Sequence, residues 1–192
     1  TRNHSSAASD VYKRQEIKFV SPVSGTLTKI ERGAKRRIMS LSIASDGKNK
    51  AVTHSLEKLD KLEAADVKKH LLESGCWPFV KQRPYDVIAD PDSTPKAIFI
   101  SGFSTAPLAA DVPFILSSQK EDFQTGINAL AKLAPKVHLS VDASSASFMT
   151  EVSNAEIHRV KGQHPAGNVG VQIHHIDPCL LYTSDAADEW LR

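Results

Sequence analysis

The stretch from Gly162 to Pro178, GQHPAGNVGVQIHHIDP, combines three histidines, three glycines and two prolines. Glycines at this density let a backbone turn sharply and approach another surface closely. Histidines add polar groups that titrate near neutrality. The pattern predicts a loop that contacts a ligand or a partner, or alternatively a tight turn held for packing. The candidate residues are His164, Pro165, Gly167, Gly170, His174 and His175.

The three histidines also raise the question of a metal site. We interpret His174 and His175 as consecutive strand residues, which point to opposite faces and cannot easily share one ion. No HExxH motif and no cysteine pair completes a ligand shell. We therefore expect no metal at these histidines, and interpret them as hydrogen-bond donors to a ligand or an interface, or as packed polar residues.

A second candidate segment alternates aromatic and basic side chains along an extended stretch. A planar ring ligand that carries two carbonyl oxygens needs a flat apolar wall and hydrogen-bond donors, which such a set supplies. The same alternation also describes a half-buried edge strand with snorkelling cations. The candidate ligand-binding residues of this segment are Trp77, Phe79, Lys81, Arg83 and Tyr85.

Motifs for other chemistry are absent from the sequence. There is no GxSxG, no P-loop and no paired catalytic cysteine, and the glycine loop does not match GxGxxG. We predict no catalytic residue and no hydride transfer by this chain alone. Four basic residues form a cluster in the sequence, Arg32, Lys35, Arg36 and Arg37. We interpret this cluster first as a solvated turn, and alternatively as a docking patch for an acidic partner or lipid head groups.

The elements before residue 55 are predicted to be β-strands. Lys18 to Ile30 alternates in short strands around Pro22 and Gly25, and a second strand is expected at Arg37 to Ala44 after a turn at Gly33. The segment SPVSGTLTKI resembles the strand–turn–strand of biotinyl/lipoyl-type barrel-sandwich domains. It lacks their modified-lysine hairpin, so we expect a structural, incomplete barrel with an exposed edge.

The next segment is predicted to be a helix followed by a linker. Apolar spacing indicates a helix from Ala64 to Ser74, with Gly75 as its left-handed C-cap. Four prolines then favour an extended linker laid over a surface between two domains. They are Pro78, Pro84, Pro91 and Pro95.

From Lys96 the pattern becomes that of an α/β domain. Ala97 to Ile100 is typical of a strand covered on both faces, and the stretch beginning at Ser118 has capping-box spacing before a helical repeat. Val137–Val141 and Glu156–Val160 are further strands. The order predicts a parallel, doubly wound α/β sheet, incomplete in this chain, with the Gly/His loop following its third strand.

The two ends of the chain and its composition exclude several classes of protein. Residues 1–15 and 179–192 lack an apolar pattern, and we interpret them as non-native or disordered flanks. The first has no apolar core of a signal peptide. A net charge of +2 is too small to indicate a surface that binds nucleic acid. The sequence has no run of eighteen apolar residues, the length that would be needed to span a bilayer. Outside the flanks Cys76 is the only cysteine, so no disulfide or cysteine-ligated cluster is expected.

Four ordered segments resemble one family, the A subunits of bacterial sodium-translocating NADH:quinone reductases, with Bacteroidetes-like members most similar. They are SPVSGTLTKIERGAKRRI (Ser21–Ile38), LLESGCWPFVKQRPYDVIADP (Leu71–Pro91), TPKAIFISGFSTAPLA (Thr94–Ala109) and the HPAG-containing loop. The resemblance implies a partial barrel-sandwich-hybrid domain at 16–54 and a helix and linker at 55–95. It further implies a partial Rossmann-like domain at 96–178, similar to the flavin-binding fold of respiratory complex I.

The resemblance also implies a function. The complex oxidises NADH, reduces ubiquinone or menaquinone and exports sodium, with flavins and iron–sulfur centres in other subunits and no cofactor bound by this chain. This chain would be a peripheral subunit on the cytoplasmic face of the inner membrane, in contact with integral membrane subunits. Its quinone-binding residues would be those of the aromatic–basic segment, Trp77, Phe79, Lys81, Arg83 and Tyr85. The alternatives are a non-catalytic adaptor that docks the membrane subunits, and a flavin- and NADH-binding subunit of a related complex.

Overall fold

A computed structural model describes residues 17–54, 59–144 and 147–178. The predictions for the flanks 1–15 and 179–192 lie outside the described residues. No helix in the described part of the chain has the length and apolar character needed to cross a membrane.

The first part is an antiparallel hairpin. Strand β1 (Gly25–Arg32) pairs with β2 (Ile38–Ser45), and a short 3-10 helix, Ala34–Arg36, connects them. The predicted second strand is therefore confirmed with a shift of one residue. The predicted short strand before Pro22 is wrong, because residues 17–24 form no ladder. Asp46 closes the end of the hairpin by accepting the Ser24 hydroxyl at 2.6 Å.

Helix α1 (Ala64–Glu73) confirms the predicted helix. Gly75 has a φ of 74°, and the amide of Cys76 donates to the carbonyl of Leu71 at 3.0 Å. These are the left-handed residue and the 6→1 bond of a Schellman C-cap, which satisfies carbonyls that a helix end leaves open. The helix ends at the predicted place for the predicted reason.

The segment after the helix is not the extended linker that its prolines predicted. Trp77–Phe79 is a 3-10 turn, and the two-residue strands β3 (Lys81–Gln82) and β4 (Val87–Ile88) form a small antiparallel hairpin. A proline fixes its own φ and favours an extended residue before it. Neither effect prevents a turn that tertiary contacts favour, and here the buried Trp77 anchors one.

The remaining elements form a three-stranded parallel sheet in the order β5–β6–β7. The strands are β5 (Ile98–Ser101), β6 (Val137–Asp142) and β7 (Glu156–Val160). Helices α2 (Val112–Ile115) and α3 (Lys120–Leu130) lie between β5 and β6, and α4 (Val169–Ile176) follows β7. The predicted parallel α/β pattern is confirmed.

The sheet buries its two faces differently. Side chains alternate along a strand, and Leu139 and Val141 of β6 form the core with Met149, against α2, α3 and the connection to β7. The other face carries His138 and Ser140, and α4 packs on this side through Gln172 and Ser101. The most buried strand is therefore β6, whereas β5, expected to be covered on both faces, is half-buried.

One helix start was also predicted wrongly. The residue that precedes α3 is Gln119, and no side chain caps this helix. Ser118 therefore does not act as the predicted capping-box residue. A capping-box contact occurs instead at α1, where Asp66 accepts the amide of Glu63 at 3.2 Å.

Candidate functional site

The Gly/His loop begins after β7, at the carboxyl edge of the parallel sheet, and ends where α4 begins. Asn168 is the N-cap residue of α4, and the helix packs against β5 on the other side of the central strand. The loop therefore crosses the end of the sheet, above β6. Such edges are where open α/β sheets bind ligands.

The loop is fastened to the residues that follow β5. The amide of Gly167 donates to Oγ1 of Thr105 at 2.9 Å, and the same oxygen lies 3.3 Å from Nδ1 of His164. The hydroxyl of Ser101 reaches the carbonyl of Gly167 at 3.2 Å. Two loops from two strands thus form one hydrogen-bonded unit.

Gly167 has to be a glycine because the two loops approach closely. A Cβ at this position would lie 2.4 Å from the backbone nitrogen of Thr105 and 2.9 Å from its Oγ1. The first atom belongs to the backbone and cannot rotate away. The close approach expected of this glycine is therefore used for packing against the chain itself.

Gln172 links the loop to the sheet from α4. It is almost fully buried, and its Nε2 donates to Oγ of Ser101 at 3.0 Å and to the carbonyl of Ala166 at 3.2 Å. Its Oε1 is buried and has no hydrogen-bond partner among the described residues. A buried acceptor without a donor costs about 1–3 kcal/mol, which offsets part of what the two hydrogen bonds of Nε2 contribute.

His174 and His175 lie in the last turn of α4, and the prediction that they belong to a strand is wrong. Both are exposed, and their ring centroids are 5.6 Å apart. The buried Ile173 and Gln172 instead fit the spacing of one helix face.

The aromatic–basic segment separates into buried and exposed members. Trp77 is 5% exposed, and its indole nitrogen donates to the carbonyl of Ala89 at 2.8 Å, across the small hairpin. Phe79 is 83% exposed and Tyr85 is 70% exposed. Lys81 is exposed on β3. Trp77 is thus a buried packing residue of the segment, whereas the rings of Phe79 and Tyr85 are exposed at its surface.

Arg83 connects the two candidate sets. Its guanidinium lies 3.7 Å from the carboxylate of Asp86 in the turn between β3 and β4. A Cβ placed at Gly170 would be 3.9 Å from Nη1 of Arg83. Sequence positions 83 and 170 are far apart, and no local pattern pairs them, so only the fold brings the aromatic–basic segment to the first turn of α4.

Sequence reasoning missed several polar residues of this region. Ser101, Thr105 and Gln172 hold the loop, but serine, threonine and glutamine are too common for their spacing to single them out. A separate group of His138, Glu156 and His158 lies elsewhere on the sheet. The sequence contained one clue to this group, because Glu156 and His158 are two residues apart on a predicted strand and therefore point to the same face.

Two family models match the chain. The NqrA N-terminal barrel-sandwich hybrid domain matches residues 10–46, and the NqrA second alpha/beta domain matches residues 62–185. The first range contains the β1–β2 hairpin, and the second contains α1, the small hairpin and the parallel sheet. The mixed α/β architecture fits both descriptions.

Curated relatives agree with the family models. The chain is 38% identical over 170 residues to the A subunit of the Na(+)-translocating NADH-quinone reductase of Haemophilus influenzae strain PittGG, covering 86% of this chain and 38% of the relative. It is 38% identical over 172 residues to the protein of the same name from Actinobacillus succinogenes, and 36% identical over 169 residues to that from Shewanella frigidimarina.

The chain thus spans less than two fifths of the length of these relatives. The order of the matched domains and the identity over most of the chain both support the resemblance found in the sequence. On these grounds the chain belongs to the NqrA family, the A subunits of Na(+)-translocating NADH-quinone reductases.

Proposed function

We propose that this chain is part of a peripheral subunit of a sodium-pumping NADH:quinone reductase, in which it contributes to quinone reduction coupled to sodium export. The observation that carries the proposal is the position of Arg83, whose Nη1 lies beside Gly170. This contact joins the aromatic–basic segment to the first turn of α4, into which the Gly/His loop leads. The proposed quinone surface consists of this segment and the loop, which supply flat rings and hydrogen-bond donors.

The chemistry of this surface suits a quinone head group. Phe79 and Tyr85 present exposed rings, and aromatic faces stack on a planar ring. Arg83 has five N–H donors in a fixed fork, and the phenol of Tyr85 adds a sixth. Lys81 lies on the adjacent strand. Trp77, with its N–H already bonded to Ala89, keeps the hairpin in place under these groups.

The Gly/His loop would form the second wall of the site. His164 is exposed at the loop, with its Nδ1 near Thr105. Pro165 and Gly167 belong to the same loop, and Gly170 lies in the first turn of α4. His174 and His175 lie one helix length away, at the far end of α4. We propose that these two histidines contact a partner protein of the complex rather than the quinone.

The other parts of the reaction would belong to the rest of the assembly. We propose that NADH, flavins and iron–sulfur centres are bound by other subunits, and that none of these redox cofactors is held by this chain. The isolated chain would then be inactive. Partner subunits, including integral membrane ones, would hold it at the cytoplasmic face of the bacterial inner membrane.

The test uses the assembled complex, with the double substitution Arg83→Ala and Tyr85→Phe in this chain. The change removes a cation and a hydroxyl but keeps a ring at position 85. The apparent quinone KM should rise several-fold, because each lost hydrogen bond costs about 0.5–1.5 kcal/mol. Oxidation of NADH by an artificial acceptor should stay near the unsubstituted rate. Arg159→Ala, which removes an exposed cation from β7, is the matched control. Unchanged quinone kinetics in an intact complex would reject the site.

The proposal also predicts different effects of substituting two aromatic residues of the same segment, Phe79 and Trp77. Phe79→Leu should raise the quinone KM with little change in stability, because the ring is exposed. Trp77→Phe should lower the free energy of unfolding by about 1–3 kcal/mol through the lost bond to Ala89. Its quinone KM should stay nearly constant wherever the complex remains intact.

An adaptor role is the second candidate, and the β1–β2 hairpin favours it. Ile30 and Leu41 face each other across the ladder, and both are exposed, as are Met39 and Val23. Apolar side chains grouped on one surface mark contacts with another protein surface. If the chain is an adaptor, substitution of Met39 and Leu41 by serine should release it from the purified complex. Arg83→Ala should then leave the quinone KM unchanged.

A further inference from the structure

Three potential metal ligands converge on the face of the sheet that α4 covers. His138 lies near the start of β6, and Glu156 and His158 lie on β7, with His138 paired to Glu156 and Ser140 paired to His158 in the ladder. Residues two apart on a strand point to the same face. The register therefore brings one side chain from β6 and two from β7 together, at the amino-terminal edge and away from the Gly/His loop.

The ligand atoms already lie at separations close to those in a metal site. Nδ1 of His138 is 2.9 Å from Nε2 of His158 and 3.4 Å from Oε2 of Glu156, and Nε2 of His158 is 3.8 Å from Oε1 of Glu156. Ligands about 2.0–2.2 Å from a tetrahedral zinc ion are about 3.3–3.5 Å apart. The two distances to Glu156 involve different carboxylate oxygens, and one ligand atom from each of the three residues lies within 4.8 Å of the others. Modest side-chain adjustments would therefore bring one atom from each residue to the distances of a metal site.

The surroundings hold the ligands and leave one side open. The ring of His138 is buried and stacks on Phe99, with centroids 4.7 Å apart. The side chains of His158 and Glu156 are 22% and 62% exposed. A rigid buried ligand, a half-buried one and a solvent-facing carboxylate provide both preorganisation and a path by which an ion can enter.

The contact between the two imidazoles also fits a shared ion. Nδ1 of His138 and Nε2 of His158 face each other at hydrogen-bond distance, where one nitrogen donates a proton to the other. An ion in place of that proton would be bound by both nitrogens, since the imidazole nitrogen is a common metal ligand.

We propose that His138, His158 and Glu156 form a binding site for a divalent transition-metal ion of the zinc class. Two imidazoles and one carboxylate suit Zn²⁺, whereas Mg²⁺ and Ca²⁺ require more oxygen ligands. Three protein ligands leave a fourth position for water or for a side chain of a partner. The ion would clamp β6 to β7, and the site is independent of the proposed quinone surface.

The experiment titrates Zn²⁺ into the untagged chain after removal of metals with a chelator. The expected result is one equivalent bound per chain and a rise in melting temperature, since an ion that binds only the folded state stabilises it. Co²⁺ in place of Zn²⁺ should give the visible bands of a four-coordinate ion. His158→Gln and Glu156→Gln should each weaken binding by about tenfold or more, since even the loss of outer-shell partners costs about 10–100-fold.

Two substitutions serve as matched controls. His54→Gln and Glu151→Gln remove an exposed histidine and an exposed glutamate away from the cluster, and both should bind Zn²⁺ as the unsubstituted chain does. Circular dichroism checks that every variant is folded. Glu156→Gln, at a largely exposed position, keeps the test valid if His158→Gln does not fold.

Two results would overturn the proposal. One is Zn²⁺ binding that is equally strong in Glu156→Gln and the unsubstituted chain, which would locate the ion elsewhere. The other is the absence of saturable binding while the ring-proton NMR signals of His138 and His158 stay unchanged in excess Zn²⁺. That outcome would leave the two histidines as a hydrogen-bonded pair.

Discussion

At the residue scale, the Gly/His loop depends on one backbone contact. The amide of Gly167 donates to Thr105, and the Cα of this glycine faces the Thr105 backbone nitrogen with no room for a methyl group. This contact fixes the distance between the residues that follow β5 and those that precede α4. It also places Gly170 next to Arg83, because α4 begins two residues after Gly167.

Gly167→Ala should therefore destabilise the chain by about 1–3 kcal/mol, the usual cost of overpacking a site whose neighbours cannot move. Urea unfolding followed by circular dichroism measures the change. Gly126→Ala is the matched control, because nothing lies within 4 Å of a Cβ at that position in the middle of α3. There alanine should stabilise by about 0.5–1 kcal/mol. Equal effects at the two glycines would contradict the packing argument.

At the element scale, the short helix α2 positions part of the core. Val112 and Leu116 pack against Leu139 and Val141 of the central strand. A helix of four residues has little stability of its own. Its start is fixed by Asp111, whose Oδ1 accepts the amide of Phe114 at 3.1 Å.

Asp111→Ala should lower the free energy of unfolding by about 1 kcal/mol through loss of this cap. Ser118→Ala tests the start of α3 by the same measurement. The sequence motif at Ser118 predicts a comparable loss, whereas the structure, in which no side chain caps α3, predicts a change within about 0.5 kcal/mol. A large loss at Ser118 would show that its hydroxyl caps α3 after all.

At the scale of the whole molecule, the sheet edge that binds ligands in many α/β domains is occupied here by the chain itself. A phosphate at such an edge is bound through free backbone amides. In the loop that precedes α4, the amides of Ala166, Gly167 and Asn168 already donate to Gln163, Thr105 and Pro165. The loop before α4 therefore offers few donors to the phosphate of a flavin nucleotide.

The purified chain should accordingly be colourless, and it should stay so after incubation with excess flavin mononucleotide followed by gel filtration. The measurement is the visible absorption band of oxidised flavin in the protein fractions. Retention of flavin at on the order of one per chain would contradict the argument from the amides. It would also favour the interpretation of this chain as a flavin-binding electron-transport protein.

The sequence by itself determined the elements that local chemistry fixes. Helix α1 ends at Gly75 because only a residue tolerant of positive φ fits its C-cap. The strands at Val137 and Glu156 and the parallel order follow from apolar runs alternating with a helical repeat. The family resemblance lies in four runs of consecutive residues, so it needed no tertiary information.

The tertiary structure decided what depends on contacts distant in sequence. Trp77 and Phe79 belong to the same aromatic–basic alternation, yet one is buried and the other exposed, because the small hairpin covers only one of them. The stretch around His174 became a helix because its apolar side packs against β5. Arg83 meets Gly170, and His138 meets His158, only through the folding of the sheet, since no local period relates residues on different elements.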